Sequence, residues 1–181
     1  REHDRWRDWF VQRKSAGRIR ECHGDMHLGN MILCGEMLTI FDCIEFNAEF
    51  RWIDTISEVA FCTMDLTDRG HPELAYEFLN AYLEITGDYD SLTGLRFYLS
   101  YRALVRAKVV WLRIQQQPDS GDAALREEFE NYLSLAEHYA FAFRPGVILM
   151  RGVSGTGKSY GGAKIVRSCG AIRVRSDVER K

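Results

Sequence analysis

The sequence predicts an α+β chain, mostly helical around a small β-hairpin, followed by the opening of an α/β unit. Three observations predict it. Met31-Ile32-Leu33 and Leu38-Thr39-Ile40-Phe41 are short apolar runs on either side of Cys34-Gly35-Glu36, the pattern of two strands and a turn. From Ile53 the apolar residues recur at helical spacing through several segments. After Pro145 the character changes to an apolar run, a Gly-rich turn and a further helical pattern.

Each element has its own signal. Trp6, Trp9, Phe10 and Arg13 share one helical face, so a helix is expected over about Glu2 to Lys14, ended by Gly17. Ile53, Ile56, Ala60 and Met64 form one apolar stripe. Further helices are expected over about Pro72 to Thr86, Leu92 to Gln115 and Ala123 to Phe143. Gln117-Pro118-Asp119-Ser120-Gly121 reads as a loop, with Asp122 as an N-cap. Val147-Ile148-Leu149-Met150 reads as a buried strand, and Ala171-Ile172-Arg173-Val174 as a second strand. A boundary near Pro145 divides 1–144 from 145–181.

Hydrophobic residues make up 46% of the 181-residue chain and charged residues 28%, which supports a buried core and excludes disorder. The net charge of −2 argues against nucleic acid and against a polybasic membrane surface. No apolar run approaches a bilayer-spanning length, and no signal peptide opens the chain. Five cysteines without framework spacing point to reduced thiols and a cytoplasmic setting. The chain lacks an initiator Met and starts mid-pattern, so a longer parent is expected.

Gly152-Val153-Ser154-Gly155-Thr156-Gly157-Lys158-Ser159 fits the phosphate-binding pattern G-x-x-x-x-G-K-[ST] at every fixed position. Glycines let backbone N–H groups curl around phosphate oxygens, and the following helix adds its positive end. Lys158 would reach the β- and γ-phosphates of ATP, and the Ser159 hydroxyl would ligate Mg²⁺. The chain stops before any second carboxylate of such a domain can be assigned. Asp177 follows the second strand, where P-loop kinases resembling gluconate or shikimate kinases place a substrate-binding Asp. A solvated acid or a helix N-cap accounts for it equally.

His23, Asp25 and Asn30 reproduce the spacing H-x-D-x-x-x-x-N, and Asp42 comes directly after the second hairpin strand. In that geometry the Asp accepts the proton of an attacking hydroxyl, while the Asn and the second Asp hold Mg²⁺. Asp42 is followed by Cys43-Ile44 rather than Phe-Gly, and Gly24 stands where protein kinases carry Arg. His23-Gly24-Asp25-Met26-His27-Leu28-Gly29-Asn30 instead resembles the loop of aminoglycoside phosphotransferases and their choline- and homoserine-kinase-like relatives. With Phe41 to Asn47, Arg51 and Asp54, the chain looks closest to a branch in which such a module is fused to a C-terminal P-loop ATP-binding domain.

The resemblance implies a kinase-like C-lobe over 1–144, its nucleotide-binding N-lobe missing, then the truncated start of a P-loop domain over 145–181. It implies an ATP- and Mg²⁺-dependent phosphotransferase acting on a small-molecule hydroxyl. Asp25 would be the base, and Asn30 and Asp42 the metal ligands. Asp54 would support the loop or simply favour a first helical turn. Arg51 would pair with a nearby carboxylate. Glu45 would touch substrate or metal, or face solvent. His23 would fix backbone or transfer a proton. Without the N-lobe this stretch by itself is expected to be catalytically silent.

Two rival functions stand beside this one: a nucleotide-sensing module with a non-catalytic kinase-like half, and a kinase acting on proteins. Cys22, His23, His27 and Cys34 invite a zinc reading, though their spacing misses the usual pattern. Arg102, Arg106 and Arg113 share a helix face that reads as solvated or as the site of an acidic partner or phosphate. Tyr98, Tyr101, Val105, Val109 and Leu112 form the opposing stripe, read as core.

Overall fold

The computed structural model describes residues 6–116, 123–141, 145–153 and 155–175. The expected loop at 117–121, Asp122, Ser154 and Asp177 lie outside them. Helix α1 (Arg7–Ser15) leads into strand β1 (Ile19–Glu21), the hairpin β2 (Met31–Cys34) and β3 (Met37–Ile40), and strand β4 (Trp52–Asp54). Helices α2 (Thr55–Asp68), α3 (Pro72–Thr86), α4 (Leu92–Gln116), α5 (Ala123–Ala140) and α6 (Lys158–Cys169) follow. The α+β class, mostly helical with a small hairpin, is the one the sequence predicts.

There are two antiparallel pairs. In the hairpin, Met31 faces Ile40 and Cys34 faces Met37, closed by a turn with Gly35 at φ +65°. The second pair, β1 with β4, sets Ile19 opposite Asp54 and Glu21 opposite Trp52. It joins segments on either side of the His23–Asn30 loop, and the sequence did not announce it.

Helix α2 is the centre of the fold. Ile56, Ala60, Phe61 and Met64 are fully buried, and α3 and α4 pack against this helix, with α5 along α4. Asp54 starts α2 by accepting the Ile56 N–H at 3.2 Å. Helix α3 opens with Pro72 in its first turn and ends on left-handed Gly87, as expected of these residue types. On α4 the buried stripe is Leu95, Leu99, Ala103, Ala107 and Val110, not the predicted aromatic one. Tyr101 and Leu112 are about half exposed. The small alanines let α4 approach its neighbours closely. Arg102 lies on the packed side, 6% exposed, which corrects the solvated reading for that residue.

α1 is pinned to this body twice. A Cβ on Gly94 would fall 2.1 Å from the Trp9 ring, so only glycine allows α1 that close to α4. Arg13, 4% exposed, grips Asp54 through Nε at 2.8 Å and Nη2 at 2.6 Å, and also holds Asp88 between α3 and α4. Burial works against the Arg13 charge, but the two carboxylates raise its pKa well beyond the usual arginine range. Tyr82 adds a hydroxyl to Asp88 at 2.9 Å.

The buried strand expected at Val147–Met150 does not form. These residues carry no strand, and Val147 and Leu149 are more than four-fifths exposed. A buried parallel strand needs neighbours, and the described residues hold only the two antiparallel pairs. Ala171–Val174 is not a strand either. It runs along α3, where buried Asn80 donates to the Ala171 carbonyl at 2.9 Å and accepts the Arg173 N–H at 2.6 Å.

The Arg13 network yields a stability prediction. Arg13→Met leaves two buried carboxylates without their cation and is expected to cost about 3–5 kcal/mol. Urea unfolding measures it; a loss below about 1 kcal/mol would show that the network is not what fixes α1.

Candidate active site

The loop 23–30 hangs between the hairpin and α2, and its backbone is held from below by buried acids. Glu58, 7% exposed, accepts the Gly24 N–H at 2.7 Å and the Met26 N–H at 3.1 Å, one on each carboxylate oxygen. Two turns along α2, fully buried Asp65 accepts the Leu28 N–H at 2.8 Å and the Arg69 guanidinium at 3.1 Å. Arg102 closes the floor. It donates to the Gly24 carbonyl at 2.9 Å and the Ser57 carbonyl at 3.1 Å, and stacks 4.7 Å from the Phe61 ring centre. Burial lowers its pKa, opposed by the charge of Glu58. Gly24 sits at φ +85°, and a Cβ there would come within 3.0 Å of the Phe50 carbonyl oxygen, so the tight entry to the loop requires glycine.

Two histidines orient the loop from within. His23 Nδ1 lies 3.3 Å from the Asp25 N–H, which leaves Nε2 to donate to the Phe41 carbonyl at 2.8 Å. His27 Nδ1 accepts the Gly29 N–H at 3.0 Å, so its Nε2–H faces Asp25 Oδ2 at 3.5 Å. Asn30, 7% exposed, donates from Nδ2 to the Asp25 carbonyl at 3.0 Å and to Asp25 Oδ2 at 3.1 Å. The His27 contact holds the Asp25 carboxyl below the usual carboxylate range; burial opposes this, and the His27 charge, Asn30 and Arg106 assist. Both contacts of the carboxylate itself fall on Oδ2. Asp25 Oδ1 takes no hydrogen bond among the described residues.

Asp42 is fixed beside this loop by its neighbours. Phe41 N–H donates to the Asn30 carbonyl at 3.0 Å, and Ile44 N–H to the His23 carbonyl at 3.2 Å. Asp42 is exposed and is the one non-glycine residue at positive φ among the described residues, +61°. That backbone costs about 1–3 kcal/mol and is typical of functional positions. Arg51 pairs with Glu21 at 2.6 Å and reaches the Ile44 carbonyl at 3.4 Å. Glu45 is exposed.

Asp54 does not touch the loop with its carboxylate, which is occupied by Arg13 and the α2 N-terminus. The direct support comes from Glu58 and Asp65, which sequence reasoning missed. Their signal was present: two acids seven residues apart fall on one face of an otherwise apolar helix. The zinc reading fails, because no group of three or more His, Cys, Asp or Glu gathers among the described residues. All five cysteines are free thiols, and burial first, with nearby carboxylates, pushes Cys22 up to about 11.

The Gly-rich turn lies elsewhere. Gly152, Gly155 and Gly157 have φ of 152°, 83° and 79°, and Gly157 caps α6. Thr156 donates to the Val153 carbonyl at 2.9 Å. Lys158 Nζ folds back to the Gly152 and Val153 carbonyls, both at 2.6 Å, and Ser159 is exposed in the first turn. No helix of the described residues is long and apolar enough to cross a membrane.

A family model described as the phosphotransferase enzyme family, APH, matches residues 2–95, the stretch holding the whole loop with Glu58 and Asp65 beneath it. Uncharacterized proteins of Mycobacterium bovis and of two Mycobacterium tuberculosis strains are each 33% identical over 173 residues, covering 95% of this chain and 34% of the relative. The chain thus spans about a third of the length of the curated relatives it matches. No solved structure matches.

Glu58→Gln replaces one accepting oxygen with an NH2 group that cannot accept and removes the charge from the other. Hydrogen bonds to charged groups contribute about 1.5–3 kcal/mol, so amide exchange at Gly24 and Met26 is expected to quicken roughly ten- to a hundredfold. Unchanged protection at both amides would contradict the clamp.

Proposed function

The chain belongs to the phosphotransferase enzyme family, and on that premise we propose that it transfers the γ-phosphoryl group of ATP, with Mg²⁺, to a hydroxyl of a small molecule at Asp25. The observation that carries the proposal is the asymmetry at that carboxylate. Oδ2 is held by Asn30 and His27, while Oδ1 is left without a donor on a partly exposed side chain. An acceptor hydroxyl can therefore donate to Oδ1, be aimed along one direction and lose its proton there as the O–P bond forms. Asp25, held below the usual carboxylate range, is ionised at neutral pH, so Oδ1 is free to accept the hydroxyl's hydrogen bond. The fixed loop makes this mainly a matter of positioning.

A magnesium ion takes hard oxygen ligands, and the residues here suit it. With Nδ2 committed to Asp25, Asn30 presents Oδ1, and the exposed Asp42 carboxylate has no ion-pair partner among the described residues. Bound there, the cation would neutralise charge on the phosphate groups. His23, bonded through both ring nitrogens to backbone, is a positioning residue for Asp25 and Asp42. A second nucleotide at Lys158 and Ser159, with Gly152, Ser154, Gly155, Thr156 and Gly157 wrapping its phosphates, belongs to the same proposal. Its support is the motif and the positive-φ glycines ahead of α6.

Asp25→Asn keeps the hydrogen bonds to Oδ2's position but removes the base. Acceptor-stimulated ATP turnover by the full protein is expected to fall about 100- to 10,000-fold. A depressed pKa keeps the carboxylate form as pH drops, so the Asp25 limb of kcat/KM should lie below the usual carboxylate range. Retained turnover in the variant, or an acid limb near pH 7 that vanishes with it, would overturn the assignment.

A further inference from the structure

Several arginines of this fold, buried and exposed, are paired with acceptors. Arg13 sits on two carboxylates, Arg51 on Glu21, Arg69 on Asp65 and Arg173 on Glu84, while Arg102 faces two carbonyls. Arg51 keeps a buried Nε without a bond, and Arg106 leaves its whole outer fork unmatched. Arg106 lies one turn beyond Arg102 on the same side of α4, Arg102 being the residue bonded to the Gly24 carbonyl, and is half-buried. Its one hydrogen bond among the described residues runs from Nε to the Tyr132 hydroxyl at 3.4 Å, and its guanidinium carbon is 5.6 Å from that ring's centre. Neither Nη is bonded, and no carboxylate reaches ion-pair distance.

Burial works against this charge, and Tyr132, Asp65 and Asp25 restore it. A guanidinium anchored at Nε presents its two remaining N–H groups as a fork, the arrangement that fits two oxygens of a phosphate or carboxylate. A neutral acceptor would leave that fork desolvated and unmatched, and a cationic one would be repelled. An anionic acceptor approaching Asp25 would meet a negative charge, which Arg106 offsets.

We propose that Arg106 binds an anionic group on the acceptor, so that the phosphorylated compound is a hydroxyl compound already carrying a phosphate or a carboxylate. This rests on the phosphotransferase reading. One competing role exists: Asp65 Oδ1 is buried and unbonded, and Arg106 could serve as its counter-charge.

The test is calorimetric titration of two minimal probes, inorganic phosphate and acetate. The protein carries Lys158→Ala, so that the Gly-rich turn does not compete. At least one probe should bind, roughly tenfold or more weaker after Arg106→Gln, the loss of about one charge-assisted contact. Binding should be weakened less by Arg106→Lys and be unchanged by exposed Arg113→Gln. Preference for phosphate or for acetate tells which acid the acceptor carries. Should Arg106→Gln fail to fold, Arg106→Lys decides alone, since it keeps the charge and loses the fork.

Absence of binding by both probes, or equal binding in the Arg106 variants, overturns the proposal. Equal binding with a lowered melting midpoint makes Arg106 the counter-charge of Asp65. Displacement of the probe by a non-hydrolysable ATP analogue assigns the site to the donor's phosphates and overturns the acceptor assignment. Binding needs no turnover, so the two readings fail separately. Arg106-dependent anion binding without phosphate transfer removes the enzymatic reading. Transfer to neutral acceptors only, without anion binding, removes this one.

Discussion

Two backbone N–H groups converging on the Glu58 carboxylate are the interaction on which the site depends. A loop that must aim a carboxylate cannot use a regular ladder, so its orphan amides need acceptors. Buried Glu58 supplies two and Asp65 a third, all from one helix. Arg102 matches this negative floor while bonding the Gly24 carbonyl from the opposite side. The loop's position is tied to these charges, because a carboxylate left unpaired at such a depth is strongly unfavourable. The geometry of Asp25 follows from the rigidity of α2.

That rigidity is itself anchored. Arg13 joins α1 to the first turn of α2 and to the α3–α4 junction through Asp54 and Asp88. The β1–β4 pair brings the entry of the loop against the strand that feeds α2. The hairpin then carries Asp42 to the loop through the Phe41 and Ile44 amides, and the strained backbone at Asp42 is tolerated because its neighbours are bonded on both sides. Scaffold and site form one mechanical unit.

Much of this was legible because local signals and tertiary demands agree. The turn at Gly35, the Pro72 start and Gly87 stop of α3, and the His23–Asn30 spacing each act within a few residues. What was missed lies in long-range contacts. On α4 large aromatic residues drew the predicted stripe, whereas Ala103 and Ala107 mark the packed face, because close helix approach selects small side chains. Arg102 read as a solvated charge and Glu58 was not singled out, since sequence alone does not show that the two charges meet around the loop. Val147–Met150 has the composition of a buried strand, yet composition cannot provide the neighbouring strands that would bury it.

The sequence carries two motifs of kinds that handle phosphate, and on the proposed reading one question stands above the others: which of them would perform transfer. The direct measurement is acceptor-stimulated turnover of ATP by the full protein with Asp25→Ala and Lys158→Ala compared side by side. The account predicts that Asp25→Ala abolishes the stimulated turnover and that Lys158→Ala leaves a large part of it. Full turnover in Asp25→Ala with none in Lys158→Ala would contradict it and place the chemistry at the Gly-rich turn.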